Sequence, residues 1–255
     1  MTHTKQPRSC GQCANGESLG FKFSFAFQPI VDLTQRRIVS YEALVRGPEG
    51  EPASWVLDQL NDSNRYRFDQ TCRVKAVKLA SELDLKVNLN INFFPNAVYQ
   101  PEVCIRTTLE AAKTYNFPTD QIVFEITEGE KVEDHQHLID IVNEYHRLGF
   151  SMAIDDFGAG YSGLNLLTEY QPDIIKLDRQ IISDIHQQPP KQAIVEGIVH
   201  TCGKLGIELV AEGVEEVEEI RWLRDTGIRL FQGFWFARPA FQELVIIEPN
   251  KFDQI

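Results

Sequence analysis

From residue 86 to residue 231 the chain alternates between short apolar runs and longer amphipathic stretches, and no other feature narrows its possible folds so far. Lys86–Asn92 reads as a strand with Val87, Leu89 and Ile91 on one face. A helix over 101–115 leads to a strand over 121–126, and a helix over 131–147 leads to a strand over 151–155. The rhythm continues with a helix over 162–169, a strand over 173–177, a long helix over 180–205, a strand over 207–211, a helix over 215–226 and a strand over 228–231. Strands joined by helical crossovers run parallel, and a parallel sheet needs both faces covered. Strand starts recur about every 30 residues, the spacing of repeated βα units.

The beginning of the chain departs from this rhythm. Residues 21–33 alternate with period 2, placing Phe21, Phe23, Phe25 and Phe27 on one face. Thr34–Arg37 is a turn and Ile38–Val45 a second strand, so this pair reads as an antiparallel hairpin. Helices over 52–62 and 65–83 follow. Counting the hairpin, the strands number eight, which predicts an α/β fold: a closed, TIM-like (β/α)8 barrel with an irregular antiparallel first strand. Barrels of this kind take about 250 residues. An open doubly wound sheet is the alternative, but no glycine-rich dinucleotide fingerprint follows the first strand. Residues 1–20 read as a flexible leader and 21–255 as a single domain.

Composition excludes several classes. At 43% apolar and 24% charged residues the chain can bury a sizeable core. A net charge of −12 leaves no broad basic footprint for a nucleic-acid polymer. No apolar run reaches the length of a membrane span, and the N-terminus leads into no secretory h-region, so a cytoplasmic chain is expected. Five cysteines include a lone C-x2-C, Cys10 and Cys13, with no second pair to complete a zinc ribbon. Cys72, Cys104 and Cys202 are scattered, which suits a reducing compartment.

Chemistry gathers where the predicted strands end. These ends read Glu42-Ala43-Leu44-Val45-Arg46, Asn88-Leu89-Asn90-Ile91-Asn92, Glu125-Ile126-Thr127-Glu128, Asp155-Asp156, Lys176-Leu177-Asp178, Glu212-Gly213 and Gln232-Gly233-Phe234. In a barrel all such ends converge on one mouth, where barrel enzymes work. The set is rich in hard oxygen donors and lacks histidine and cysteine, which favours Mg2+, Mn2+ or Ca2+ over zinc. Asp155 and Asp156 are adjacent at the end of an apolar strand. Two like charges ~4 Å apart repel by roughly 4 kcal/mol at an effective dielectric near 20, so a cation is the economical counter-charge. The alternative is that Asp156 caps a helix. Asn88, Asn90 and Asn92 share one strand face, so periodicity alone does not choose among them as a ligand.

These islands, in this order, resemble the EAL-domain phosphodiesterases of cyclic di-GMP from about Phe25 to Pro239. The match runs through Gln28-Pro29, Glu42-Ala43-Leu44-Val45-Arg46, Asn92, Glu125-Ile126-Thr127-Glu128, Asp155-Asp156-Phe157-Gly158, Lys176-Leu177-Asp178, Ala211-Glu212-Gly213-Val214-Glu215 and Gln232-Gly233-Phe234. The resemblance implies a two-metal phosphodiesterase that opens cyclic di-GMP to linear pGpG. It implies Glu42, Asn92, Glu125 and Asp155 as ligands of one cation, and Asp155, Asp156 and Glu212 around a second. The cations would be Mg2+ or Mn2+, with Ca2+ inhibitory, together activating a water and stabilising the attacking and leaving oxygens. Lys176 is then expected to orient that water or neutralise phosphoryl charge, with Glu212, Asp155 and Asp156 also catalytic. Gln28, Leu44, Arg46, Asp178, Gln232, Phe234 and Pro239 are the implied substrate contacts, and Glu215 a support behind the ligands.

Glu128 takes the place of the glutamate that holds the loop following Asp156, where Ala159 and Gly163 replace the usual threonine and serine. The resemblance further implies a homodimer and leaves room for a regulatory protein partner. A cyclic di-GMP receptor or protein-interaction module on the same fold is the rival expectation. Plainer readings stand beside these. His135 and His137 are expected on solvated helix surface, and Glu215, Glu216, Glu218 and Glu219 as an acidic helix start rather than a metal cluster.

Overall fold

The structure is a computed structural model and describes residues 19–128, 135–159 and 167–255. Cys10, Cys13, Gly163 and most of the leader lie outside the described residues, as does the start of the helix expected over 162–169.

The hairpin forms as its pattern demands: β1 (Ser24–Asp32) runs antiparallel to β2 (Arg37–Arg46). Two helices follow, α1 (Ala53–Leu57) and α2 (Arg65–Glu82). The parallel series is β3 (Asn88–Asn92), β4 (Ile122–Thr127), β5 (Ser151–Phe157), β6 (Ile174–Leu177), β7 (Glu208–Glu212) and β8 (Leu230–Gln232). Each strand pairs with the next, and β1 pairs with both β2 and β8, antiparallel, closing an eight-stranded barrel. The expected barrel with an antiparallel first strand is therefore the fold. A short β9 (Ala240–Phe241) adds to the free stretch of β1.

Two expected helices are broken. The stretch over 101–115 divides into α3 (Pro101–Cys104) and α4 (Arg106–Thr114) around Ile105. The long helix over 180–205 is α6 (Arg179–Ile182), a 3-10 turn at Ile185–Gln187 and α7 (Pro189–Leu205). Pro189 and Pro190 donate no backbone hydrogen bond and clash with a preceding turn, so they start a helix rather than continue one. Further α-helices among the described residues are α5 (His135–Arg147), α8 (Val217–Asp225) and α9 (Pro249–Phe252).

Strand alternation sorts the core into two layers. Phe25, Phe27 and Val31 of β1 join the main apolar core with Phe23, just before the strand, whose ring lies tilted 5.1 Å from that of Phe68 of α2. The opposite face turns into the barrel, where Ile30, Val210 and Leu230 cluster with Ile174 packed against them. One same-face step along each of these strands, the inward residue becomes Gln28, Glu212, Gln232 and Lys176. The barrel thus holds an apolar plug and, above it, a polar layer.

Candidate functional site

Register assembles the polar layer. Gln28 lies opposite Glu42, Glu42 opposite Asn90, Asn92 opposite Glu125, and Glu212 opposite Gln232. Paired residues in a sheet project to the same face, so each match sets two inward side chains beside each other. Glu42, Asn90, Glu125, Asp155, Lys176 and Gln232 are all buried.

β5 breaks this pattern at the place where it matters. Successive strand residues point to opposite faces, so Asp155 and Asp156 would diverge in a regular strand. The register of β5 with β6 shifts between Ile154 and Phe157, and Asp156 adopts a left-handed backbone, φ 56°. A left-handed non-glycine residue costs roughly 1 kcal/mol or more. The result is that Asp155, Asp156 and Glu212 can each bring an oxygen within 4.8 Å of the others. Glu42, Glu125 and Asp155 form a second group of the same tightness, so Asp155 belongs to both. Glu128 braces the bulge: its Oε2 accepts from Gly158 N–H at 2.8 Å, and its own N–H donates to the Asp155 carbonyl at 2.8 Å.

Lys176 stands at the centre of both groups. Its Nζ is 2.9 Å from Glu42, 3.4 Å from Glu125, 2.9 Å from Asp155 and 3.1 Å from Glu212. An ammonium has three N–H groups and cannot direct one at each of four carboxylates. Accordingly Asp155 Oδ1 and Glu212 Oε2 sit close to the nitrogen without a directed hydrogen bond. Other donors fill in. Asn90 donates to Glu125 at 2.7 Å, Asn92 to Glu42 at 3.0 Å and to Glu125 at 3.4 Å, and Gln232 to Glu42 at 2.7 Å.

The electrostatics follow from too much negative charge in a dry place. Burial, reinforced by neighbouring Glu42 and Asp155, pushes Glu125 and Glu212 well above the usual carboxylate range, against the pull of Lys176. Burial and the charges of Asp155 and Asp178 raise Asp156 to about 6. Burial works against ionisation of Asp155 too, but Lys176 outweighs it and the carboxyl is held low. Lys176 itself is raised: its desolvation is overcome by Asp155, Glu125, Glu212 and Glu42. Five carboxylates with one ammonium, two of their buried oxygens without a directed donor, fit hard divalent cations.

The other predicted residues surround this layer. Gln28 is buried, accepts from Gln232 at 3.2 Å and donates to the Ala237 carbonyl at 3.2 Å. Arg46 ends β2 half-buried, with Glu42 near enough to offset the burial that lowers its pKa; its Nη1 donates to the Val45 carbonyl at 2.7 Å. Leu44, two residues earlier, pairs with Ala26 of β1. Asp178 caps α6 by accepting from Gln180 N–H at 2.7 Å. Phe234 is exposed just past β8, with the Arg238 guanidinium 4.1 Å from its ring centroid, and Pro239 leads into β9. Gly233, between Gln232 and Phe234, can only be glycine, since a Cβ would lie 2.2 Å from the Val214 carbonyl oxygen. Glu215 meets Arg179 at 3.0 Å, and Arg179 also binds the carbonyl of Gly213, next to Glu212.

One expectation changes in detail and another holds. His137 is not merely solvated, since its Nε2 contacts the Val98 carbonyl. The acidic stretch before α8 is a helix start, as expected, and Glu216 and Glu219 form a reciprocal capping box. Glu219 is buried and accepts from the backbone N–H of Asp184, Glu215 and Glu216, so its closeness to Asp184 and Glu216 reflects capping. Sequence reasoning missed the bulge at Asp156 and a buried ion pair, Asp69 with Arg73, behind β3 and β4. The only signal for the pair was two opposite charges one turn apart among core positions of α2. Two cavities, about 330 Å3 beside Lys75 and about 140 Å3 beneath Asn90, lie away from the carboxylates. No described helix is long and apolar enough to cross a membrane.

Comparison with known proteins agrees with this geometry. Residues 18–239 match the model of the EAL domain. A standalone EAL protein from Vibrio cholerae O395, solved with c-di-GMP bound, superposes with a TM-score of 0.89 at 51% identity, covering 92% of this chain and 99% of that one. BlrP1 from Klebsiella pneumoniae, solved as a manganese and c-di-GMP complex, superposes with a TM-score of 0.84 at 40% identity, covering 91% of this chain and 58% of that one. Among curated relatives, the blue light- and temperature-regulated antirepressor BluF of Escherichia coli is 35% identical over 84% of this chain and 53% of its own length. Cyclic di-GMP phosphodiesterase PdeR of the same organism is 34% identical over 64% of this chain and 25% of its own. The chain thus spans about half the length of BluF and a quarter of PdeR.

Proposed function

Given that this chain belongs to the EAL domain family, we propose that it is a metal-dependent phosphodiesterase that hydrolyses cyclic di-GMP to linear pGpG. The observation that carries the reading is the pair of carboxylate groups sharing Asp155 around a buried Lys176. Glu42, Asn92, Glu125 and Asp155 would hold one divalent cation, and Asp155, Asp156 and Glu212 another. When bound, Mg2+ or Mn2+ at such a pair supplies Lewis-acid polarisation and a water nucleophile at neutral pH. Ca2+ is expected to bind and inhibit. Ligation by Asn92 would use its amide oxygen, the only acceptor of that side chain.

The protein's own groups do the rest. Lys176, kept protonated by its carboxylates, presents fixed positive charge to phosphoryl oxygens and needs no reorganisation when charge develops there. Gln232 and Asn90 hold Glu42 and Glu125 from within the barrel, fixing the directions of their free oxygens. Arg46 supplies a planar fork suited to a phosphodiester. Gln28, Leu44, Asp178, Gln232, Phe234 and Pro239 are the further proposed contacts to substrate. Glu128 keeps Asp156 in its left-handed turn, and Glu215 steadies the segment after Glu212 through Arg179.

A second reading is a catalytically silent cyclic di-GMP receptor or protein-interaction module on the same fold, and the 35% identity to the antirepressor BluF favours the absence of turnover. Chromatography of cyclic di-GMP incubated with wild type and Glu42→Ala, in Mg2+, Mn2+ or Ca2+, separates the two. Turnover to pGpG by wild type alone, in Mg2+ or Mn2+ but not Ca2+, is expected. Tight nucleotide binding by folded wild type with no product in any metal would sink the enzymatic reading and leave the receptor. Sedimentation of the same sample tests the proposed homodimer.

A further inference from the structure

α2 carries two opposite charges on the side that faces the sheet. Asp69 and Arg73 are both fully buried, with Arg73 Nη2 2.8 Å from Asp69 Oδ2. Burial of such a pair costs several kcal/mol per ion before their attraction is counted, and apolar residues of equal volume commonly serve stability as well. What the pair holds is therefore informative.

Asp69 Oδ1 accepts from the backbone N–H of Phe94 at 2.9 Å, while Phe93 N–H donates to the Glu125 carbonyl at 3.1 Å. The exit of β3, immediately after Asn92, is clamped on one side by α2 and on the other by β4. Arg73 does the matching work on the rings. Its guanidinium lies 5.0 Å from the centroids of both Phe93 and Phe124 and 5.7 Å from that of Tyr145, within cation–π range. Arg73 Nη1 also donates to the Tyr145 hydroxyl at 2.7 Å, which ties α5 into the same knot. Arg73 Nε and Nη2 make no directed hydrogen bond, so Nη2 meets Asp69 as an ion-pair contact and ring faces lie where further polar partners would be.

The two rings are not arbitrary neighbours. Phe93 follows Asn92 and Phe124 precedes Glu125, and adjacent strand residues point to opposite faces. Each of these two rings is the outward counterpart of an inward candidate ligand. Asn92 and Glu125 are themselves paired in register, so one guanidinium sits behind both.

We propose that Asp69, Arg73 and Tyr145 are positioning residues that set Asn92 and Glu125 for cation binding without touching cation or substrate. This rests on the reading of Glu42, Asn92, Glu125 and Asp155 as a cation site. A purely structural network would support the fold and leave the affinity of the folded protein for metal unchanged. A positioning network acts on the ligands, and loss of an outer partner typically weakens a metal site by about 10- to 100-fold.

Calorimetric titration with Mn2+ alone tests it, on wild type, Tyr145→Phe and Asp69→Asn, each below its own melting temperature. Tyr145→Phe removes one oxygen and keeps the ring. Asp69→Asn keeps an oxygen for Phe94 N–H and removes the charge that holds Arg73. The expected result is weaker Mn2+ binding in both folded variants, about tenfold in Asp69→Asn and less than that in Tyr145→Phe. Cyclic di-GMP turnover should fall at limiting Mn2+ and recover at saturating Mn2+. Wild-type affinity in both folded variants, with only a lower melting temperature, overturns the proposal and leaves the cation site standing. If wild type itself takes up no Mn2+, the cation site fails, and this inference with it. Should Asp69→Asn not fold, Tyr145→Phe decides alone.

Discussion

Lys176 carries more of the site's balance than any other side chain. Four carboxylates lie within 3.4 Å of its Nζ, and it raises no charge of its own beyond what they stabilise. Divalent cations would take over much of that compensation. Replacement by methionine, Lys176→Met, should therefore lower stability by about 3 kcal/mol in EDTA, the scale of breaking a buried ion pair, and by clearly less in Mn2+. Urea unfolding in the two conditions measures the difference. Equal losses would show that lysine and cations do not share the task. For Asp156 the residue was legible and the geometry that brings it into the site was not. A pair of adjacent aspartates is visible in any reading of the chain, but that both reach one site depends on a left-handed residue at a bulge.

At the scale of elements, the segment from β7 to α8 is held by carboxylate–backbone contacts. Glu219 accepts from Asp184, Glu215 and Glu216 N–H, joining the turn before α7 to the start of α8. Glu219→Ala leaves three amides without that acceptor, one of them at a helix N-terminus. The expected cost is about 2 kcal/mol or more, from the loss of a cap and of buried hydrogen bonds. Denaturant midpoints report it. A change within about 0.5 kcal/mol, typical of surface positions, would show that water replaces the carboxylate. The same segment carries Glu212, so metal affinity should weaken in parallel if this anchorage reaches the site.

For the whole molecule, charge compensation predicts that metal stabilises the fold. Binding to the native state alone at 100 times Kd adds about 2.7 kcal/mol, so the melting temperature should rise with Mn2+ or Mg2+ and return on chelation. Circular dichroism after EDTA should still show the folded barrel, because the apolar plug and the helix layer need no ion. No shift in melting temperature at millimolar Mn2+ would count against cations at this mouth.

Much of this was legible in residue order alone. Strand and helix alternate because period-2 and helical apolar patterns are local, and polar residues at strand ends mark a mouth once the strands are parallel. Gln28, Glu42, Glu125, Lys176 and Glu212 could be singled out on that ground. The breaks in the helices over 101–115 and 180–205 were less visible, since periodicity outlasts a single turn's interruption. Which of Asn88, Asn90 and Asn92 faces which carboxylate was not legible. All three share a face, and only the register of β3 between β2 and β4 sets Asn90 beside Glu42 and Asn92 beside Glu125. The sequence by itself determined the kinds of side chain available and the faces they occupy, because those depend on neighbours along the chain. Closure of β1 on β8, the bulge that turns Asp156, and the Asp69–Arg73 clamp behind Asn92 and Glu125 were decided only by tertiary structure, because each depends on contacts between residues far apart in the chain.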